Sequence, residues 1–203
     1  VMSKKILITG GAGFIGSHLA ERIFLEFRDS KIILYDKITY AANKQYLANI
    51  IKKKNVKFIK GDLLNYKKLE SNLKNVDLAI NVAAESHVDN SFGNSLIFTK
   101  TNTLGTHYFL EACRKQKVNK ILHVSTDEVY GENLKKPFTE KQFLNPTNPY
   151  SASKAGADMI VNAYKKSYNL NIVTVRANNI YGTRQFPEKL IPKTIYSFLT
   201  KKK

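Results

Sequence analysis

Residues 10–16 of this 203-residue chain read Gly10-Gly11-Ala12-Gly13-Phe14-Ile15-Gly16, with three glycines spaced G-x-x-G-x-x-G from Gly10. They separate two segments of different periodicity. Lys5-Ile6-Leu7-Ile8-Thr9 is a short apolar run of the kind that forms a strand buried on both faces. Phe14 to Phe27 repeats its apolar residues at helical spacing. A strand that turns into a helix through glycines brings several backbone N–H groups together at a helix N-terminus. There they and the positive end of the helix dipole attract phosphate. Glycines also serve ordinary turns, and it is the strand before and the helix after that give this triplet its meaning.

The alternation continues along the chain. Strands are predicted at Ile32–Tyr35, Val56–Ile59, Val76–Val82, Lys120–Val124 and Asn171–Val175. Helices are predicted at Lys44–Ile51, Tyr66–Leu73, Ser95–Lys117, Ser151–Tyr168 and Pro187–Leu199. Apolar strands alternating with helices imply an α/β fold, a doubly wound parallel sheet covered on both faces by right-handed crossovers. No internal repeat interrupts the pattern.

Composition narrows the function. Apolar residues make up 43% and charged residues 24%, which is ordinary for a globular core. The net charge of +17 would suit a nucleic-acid binder, but the excess is 28 lysines against 5 arginines, in short scattered runs with 19 asparagines. Base readout favours arginine, so the lysines are read as solvated surface, with no specific nucleic-acid partner. The lone Cys113 lies on the apolar side of a helix and is expected in the core. One cysteine supports neither a disulfide framework nor a Cys-rich metal site, and no His/Asp/Glu spacing suggests a metal. The first residues, Val1-Met2-Ser3-Lys4-Lys5, have no leader pattern and no run reaches membrane-spanning length, so a cytoplasmic protein without a membrane partner is expected.

Asp36 ends the second strand, 20 residues after Gly16. A carboxylate there accepts hydrogen bonds from ribose hydroxyls and repels a 2′-phosphate, which favours NAD over NADP; the adjacent Lys37 softens that preference. Asp62, in Gly61-Asp62-Leu63 after the third strand, either accepts from an adenine amino group or caps the Tyr66 helix. Tyr150-Ser151-Ala152-Ser153-Lys154 places a tyrosine and a lysine on one helix face. An ammonium beside a phenol favours the phenolate, which makes Tyr150 a candidate base. Ser125-Thr126-Asp127-Glu128 follows the fifth strand, at the end of the sheet where α/β ligands bind. Thr126 can hold a substrate oxygen. The two carboxyls can divide acid and base work if their environments differ, in an order that spacing leaves open.

Five segments together carry a resemblance: Thr9 to His18, Asp36-Lys37, Ala83-Ala84-Glu85-Ser86-His87-Val88-Asp89, Ser125 to Gly131 and Tyr150 to Lys154. They resemble the nucleotide-sugar 4,6-dehydratases of the extended short-chain dehydrogenase/reductase family, the dTDP-glucose type above all. Asn90 to Ser95 and Asn178 to Lys193 are similar to the UDP-glucose-using branch. Sugar 4-epimerases share the glycine loop and Y-x-x-x-K but usually carry small hydroxyl residues in place of Asp127-Glu128. A non-catalytic NAD-binding module is the alternative of a different class.

The resemblance implies a Rossmann-type domain over 1–182 and the start of a substrate-binding region over 183–203. Such proteins continue into a smaller domain that grips the nucleotide. A chain stopping at Lys203 is therefore expected to bind NAD and to turn over weakly or not at all. NAD is implied to contact Gly10, Gly13, Phe14, Ile15, Gly16, Asp36, Lys37, Asp62, Leu63, Ala83, Ala84, Thr101, Tyr150, Lys154 and Asn179. A sugar nucleotide, dTDP-glucose or UDP-glucose, is implied at Ser86, Thr126, Asn178, Lys189 and Leu190. Tyr150 would take the C4 hydroxyl proton, Glu128 the C5 proton, and Asp127 would protonate the departing C6 hydroxyl. His87 is expected to pack and hydrogen-bond rather than catalyse. The helices Ser95–Lys117 and Ser151–Tyr168 would pair in a homodimer.

Overall fold

The structure, a computed structural model, describes residues 4–132 and 137–200. Val1-Met2-Ser3 and the Lys201-Lys202-Lys203 run lie outside the described residues. Six strands, β1 (Lys5–Thr9), β2 (Lys31–Asp36), β3 (Val56–Lys60), β4 (Leu78–Asn81), β5 (Lys120–Thr126) and β6 (Ile172–Ala177), form one parallel sheet in the order β3-β2-β1-β4-β5-β6. The chain works outward from β1 to β3, then returns to the other side of β1 at β4. This leaves a switch point between β1 and β4, where a crevice opens at the carboxyl ends of the strands.

Among the described residues seven α-helices accompany the sheet: α1 (Phe14–Glu26), α2 (Tyr66–Asn72), α3 (Val88–Gly93), α4 (Ser95–Phe98), α5 (Gly105–Lys115), α6 (Pro149–Ser167) and α7 (Leu190–Thr200). Alternate residues of each strand serve opposite faces. Leu7, Ile33, Tyr35, Ala79 and Ile121 face a core with Leu69, Phe109, Leu110, Cys113 and Val161 from α2, α5 and α6. Ile6, Ile8, Ile32, Leu34 and Ile80 face Ala20 and Ile23 of α1 and Leu47 and Ile50 beyond β2. Cys113 is fully buried, as its position in the sequence implied. No helix of the described residues is long and apolar enough to cross a membrane.

Two local devices set up the crevice. Gly10 takes φ +67°, and a Cβ there would stand 2.7 Å from the Ala83 nitrogen, so β1 can leave the sheet only through a residue without a side chain. A Cβ on Gly16 would be driven into the Gly10 carbonyl, which lets α1 start directly under the turn. At α6, the Asn148 side chain accepts from the Ser151 N–H at 2.8 Å while Ser151 Oγ accepts from the Asn148 N–H at 3.2 Å. This capping box, with Pro149 at the first helical position, fixes where Tyr150 and Lys154 emerge.

The structure differs from the sequence reading in four places. Lys44–Ile51 holds only a 3₁₀ turn, Lys44–Leu47, followed by turns. The Ser95–Lys117 helix ends at Lys115 and is interrupted by a π-helical stretch, Thr99–Leu104. Within it lies Asn102, whose buried amide both accepts from the Glu85 N–H and donates to the Glu85 carbonyl, each at 2.9 Å. Helix α3 has no counterpart in the sequence reading. Its first turn is capped by His87, whose Nδ1 accepts from the Asn90 N–H at 3.3 Å. The last helix starts at Leu190 rather than Pro187 and buries no residue.

Helices α5 and α6 also share a polar seam. Arg114 donates twice to the Glu111 carboxylate, at 2.8 and 2.7 Å, and the Tyr164 hydroxyl donates at 3.0 Å. The arginine hydrogen bonds, against opposing burial, hold the Glu111 carboxyl at about 2. A depressed carboxyl pKa stabilises the fold above the unfolded value near 4.5, and that stability is lost as pH falls toward the folded value. Glu111→Gln is therefore expected to lower the urea midpoint at pH 7, with the gap to wild type closing between pH 4.5 and about 2. Gly16→Ala is expected to cost about 1–3 kcal/mol by overpacking, read in the same denaturation assay.

Candidate active site

The crevice is a cavity of about 290 Å³ to which the carboxyl end of every strand contributes. Gly10 follows β1, Asp36 ends β2, Gly61 follows β3, Val82 follows β4, Thr126 ends β5 and Ala177 ends β6. Gly13, Phe14, Ile15 and Gly16 form its floor at the start of α1, where Gly13 occupies the cap position and no side chain caps the first turn. The first amides of α1 thus remain available for an anion, and the space beside the glycines fits a pyrophosphate.

The Asp36 carboxylate accepts from the Ala12 N–H at 2.9 Å and from the Ile38 N–H at 2.7 Å. It thereby ties the glycine turn to the end of β2. Burial raises its pKa, and the two amide hydrogen bonds oppose that rise. Asp62 does not cap α2; Asn65 does, its side chain accepting from the Lys68 N–H at 3.2 Å. Asp62 instead accepts from the Leu64 N–H at 3.0 Å and pairs with Lys37 Nζ at 2.7 Å. Lys37 is thus paired with a carboxylate other than Asp36. Leu63, Ala83, Ala84 and Thr101 also line the cavity. The π-helical stretch carries both Thr101, which lines the cavity, and the buried Asn102.

At the other end, Tyr150 and Lys154 are 8% and 4% exposed, and both reach the cavity. Lys154 Nζ donates to the Val124 carbonyl at 2.7 Å, and burial lowers its pKa to about 8. The Tyr150 phenol is pushed up to about 12, first by burial and then by the negative charge of Glu128, with a smaller contribution from Asp127; a hydrogen bond with Thr126 opposes the rise. This corrects the expectation that Lys154 acidifies Tyr150 in the protein alone. The ammonium donates one hydrogen bond to a carbonyl, and two carboxylate charges bear on the phenol.

Thr126 Oγ1 accepts from the Glu128 N–H at 3.3 Å and lies 3.2 Å from Asp127 Oδ1, which opens the 3₁₀ turn Asp127–Tyr130. Glu128 lines the cavity; Asp127 is outside its lining and acts on Tyr150 through its charge. Ser86, Asn178, Asn179 and Lys189 line the cavity, and Lys189 Nζ donates to the Ser86 carbonyl at 2.7 Å. Leu190 does not line it: it opens α7 at 81% exposure. Among the described residues no cluster of His, Cys, Asp or Glu could hold a metal ion.

Sequence reasoning placed Lys189 at the site but missed the contacts that hold its segment against the cavity. Phe186 packs edge-on against Tyr40, whose hydroxyl donates to Glu188 at 3.2 Å. His87 Nε2 lies 3.3 Å from the Glu188 carbonyl. Arg184 reaches back to Glu21 and Ser17 on α1. Tyr40 and Glu188 lie 148 positions apart, and no local pattern in either stretch signals their pairing.

A doubly wound sheet with a glycine turn under the crevice and Y-x-x-x-K on the facing helix defines the class of extended short-chain dehydrogenases/reductases. Within it, this chain belongs to the GDP-mannose 4,6 dehydratase family, whose model matches residues 7–203. It is 50% identical over 213 residues to a dTDP-D-glucose 4,6-dehydratase of Dictyostelium discoideum, spanning 98% of this chain and 49% of that protein. The human dTDP-D-glucose 4,6-dehydratase is 42% identical, with 95% and 56% covered. The chain thus spans about half the length of these relatives. Among solved structures, DesIV, a dTDP-glucose 4,6-dehydratase from Streptomyces venezuelae crystallised with NAD, matches with a TM-score of 0.94 at 40% identity, over 97% of this chain and 62% of that one. A UDP-glucuronic acid 4-epimerase from Bacillus cereus matches with a TM-score of 0.91 at 30% identity, over 98% and 64%.

Asp36→Ala leaves the Ala12 N–H, on a fully buried residue, without its acceptor. The expected loss is about 1–3 kcal/mol in urea denaturation with no cofactor added.

Proposed function

We propose that this chain carries the cofactor site and the proton-transfer residues of an NAD-dependent nucleotide-sugar 4,6-dehydratase acting on dTDP-glucose or UDP-glucose. The observation that carries the reading is the juxtaposition of Thr126, Tyr150 and Glu128 on one cavity, with the Asp127 charge acting on the same phenol. The glycine turn, the open first turn of α1 and Asp36 fit the pyrophosphate and the adenosine ribose of NAD.

NAD supplies the acceptor for a hydride and later returns it, so the net reaction is redox-neutral. Tyr150 removes the C4 hydroxyl proton while Thr126 holds the oxygen that becomes a ketone. The ketone acidifies the C5 proton, and Glu128 takes it. A protonated Asp127 delivers its proton to the C6 hydroxyl, which leaves as water. Lys154 stabilises the phenolate by its charge. Ser86, Asn178 and Lys189 bind the sugar nucleotide, Lys189 as a cation for its diphosphate. The reading includes a cytoplasmic homodimer paired through residues 95–115 and α6, where Leu96, Leu104 and Met159 are exposed.

The experiment is product analysis by NMR after incubation with NAD and either dTDP-glucose or UDP-glucose. Whatever product forms, at the low rate expected of this chain, is expected to be a 4-keto-6-deoxy sugar nucleotide. A 4-epimer with C6 still hydroxylated would replace this reading by that of an epimerase. Glu128→Gln is expected to lower product formation by about 10²–10⁴-fold, the usual contribution of a positioned base, with NAD affinity unchanged.

A further inference from the structure

Behind the cavity lies a buried polar cluster that the proposed chemistry does not use. On α6, Asp158 sits one turn beyond Lys154, as Lys154 sits one turn beyond Tyr150. Its side chain is 1% exposed. Arg176 of β6 donates to Asp158 Oδ2 at 2.8 Å and to the Tyr130 hydroxyl at 2.7 Å. His123 of β5 brings its Nε2 to 3.5 Å from Asp158 Oδ1.

The protonation of His123 follows from its other neighbours. Thr9 donates to Asn81 Oδ1 at 2.7 Å, so the Asn81 amide nitrogen points away from Thr9. That nitrogen donates to Thr106 Oγ1 at 3.1 Å and faces His123 Nδ1 at 3.3 Å. Nδ1 is therefore the acceptor, and Nε2 carries the proton toward Asp158. Burial depresses the pKa of the imidazole and keeps it neutral. Asp158 thus has one cationic partner, Arg176, one neutral N–H, and the Lys154 ammonium one helical turn away.

We propose that Asp158, held by Arg176 and facing His123, is the positioning residue for Lys154: the fixed counter-charge that keeps a buried ammonium protonated beside Tyr150. Desolvation pulls the Lys154 pKa down, and the Asp158 charge is what opposes it. The groups facing this region from the packed elements are His123 and Ser125 on β5, Arg176 on β6, Tyr130, Asp127 and Glu128 on the 3₁₀ turn, and Tyr150 on α6. The carboxylates of Asp127 and Glu128 bear on the Tyr150 phenol. The inference rests on the proposed function only in giving Lys154 its catalytic work; the charge coupling stands without it.

The test is the titration of Lys154 in the folded chain, without cofactor or substrate. Lysine labelled with ¹³C at Cε is followed by NMR, and the Lys154 resonance is identified by its loss in Lys154→Met. Asp158→Asn is expected to move the Lys154 midpoint down by about one pH unit or more. Arg176→Gln, which leaves Asp158 to Lys154 alone, is expected to move it up. If Asp158→Asn does not fold, the direction of the Arg176→Gln shift decides alone. An unmoved midpoint in whichever variant folds would overturn the proposal, as would a downward shift in Arg176→Gln. Because no turnover is measured, this result is independent of whether the dehydratase reading survives its own product assay.

Discussion

The site depends on how β1 ends. Its neighbour β4 continues into Val82 and Ala83 so close to the turn that Gly10 has no room for a side chain, and its positive φ turns the backbone into α1. The Thr9 hydroxyl accepts from the Val82 and Ala83 N–H groups at 3.1 and 3.3 Å and locks the two strand ends together. Asp36 then pins Ala12 from the β2 side. With the turn fixed by three strands, the first amides of α1 open on the crevice at the switch point of the sheet. A phosphate-binding floor there is a consequence of strand order and of three missing side chains.

The opposite wall is built by different means. The Asn148–Ser151 capping box sets the phase of α6, so residues four apart line up along one face. Tyr150 then meets the cavity, Lys154 sits beneath it, and Asp158 lies deeper still among Arg176 and His123. Acid–base groups are graded by depth, from a phenol raised by neighbouring carboxylates to an ammonium lowered by burial. One polar path, Thr9–Asn81–His123–Asp158, joins this wall to the floor beneath the glycine turn.

The strands and the glycine floor were legible in the sequence because their signals are local. Continuous apolar runs specify strands buried on both faces, and glycines between strand and helix specify the turn. The Tyr150–Lys154 pair was legible for the same reason, being one helical turn. The rest depends on contacts made across the fold. Asn102, in the π-helical stretch, is held at both ends of its amide by the Glu85 backbone, 17 positions away. Lys37 was read as a modifier of Asp36, yet it pairs with Asp62 across adjacent strand ends. The acidity of Tyr150 was misread because the spacing to Lys154 says nothing of the burial and of the Glu128 and Asp127 charges that raise the phenol. Leu190 was assigned by resemblance and lies on an exposed helix, where no periodicity could have separated it from its neighbours.

The central claim is that one cavity oxidises a hexose at C4 and eliminates water across C5 and C6, with the same hydride leaving and returning. Its most direct measurement follows the label from dTDP-glucose or UDP-glucose deuterated at C4, incubated with the protein and NAD in ordinary water. The account predicts a 4-keto product with that deuterium in the C6 methyl group and a solvent proton at C5. Deuterium found back at C4, with C6 unchanged, would contradict it.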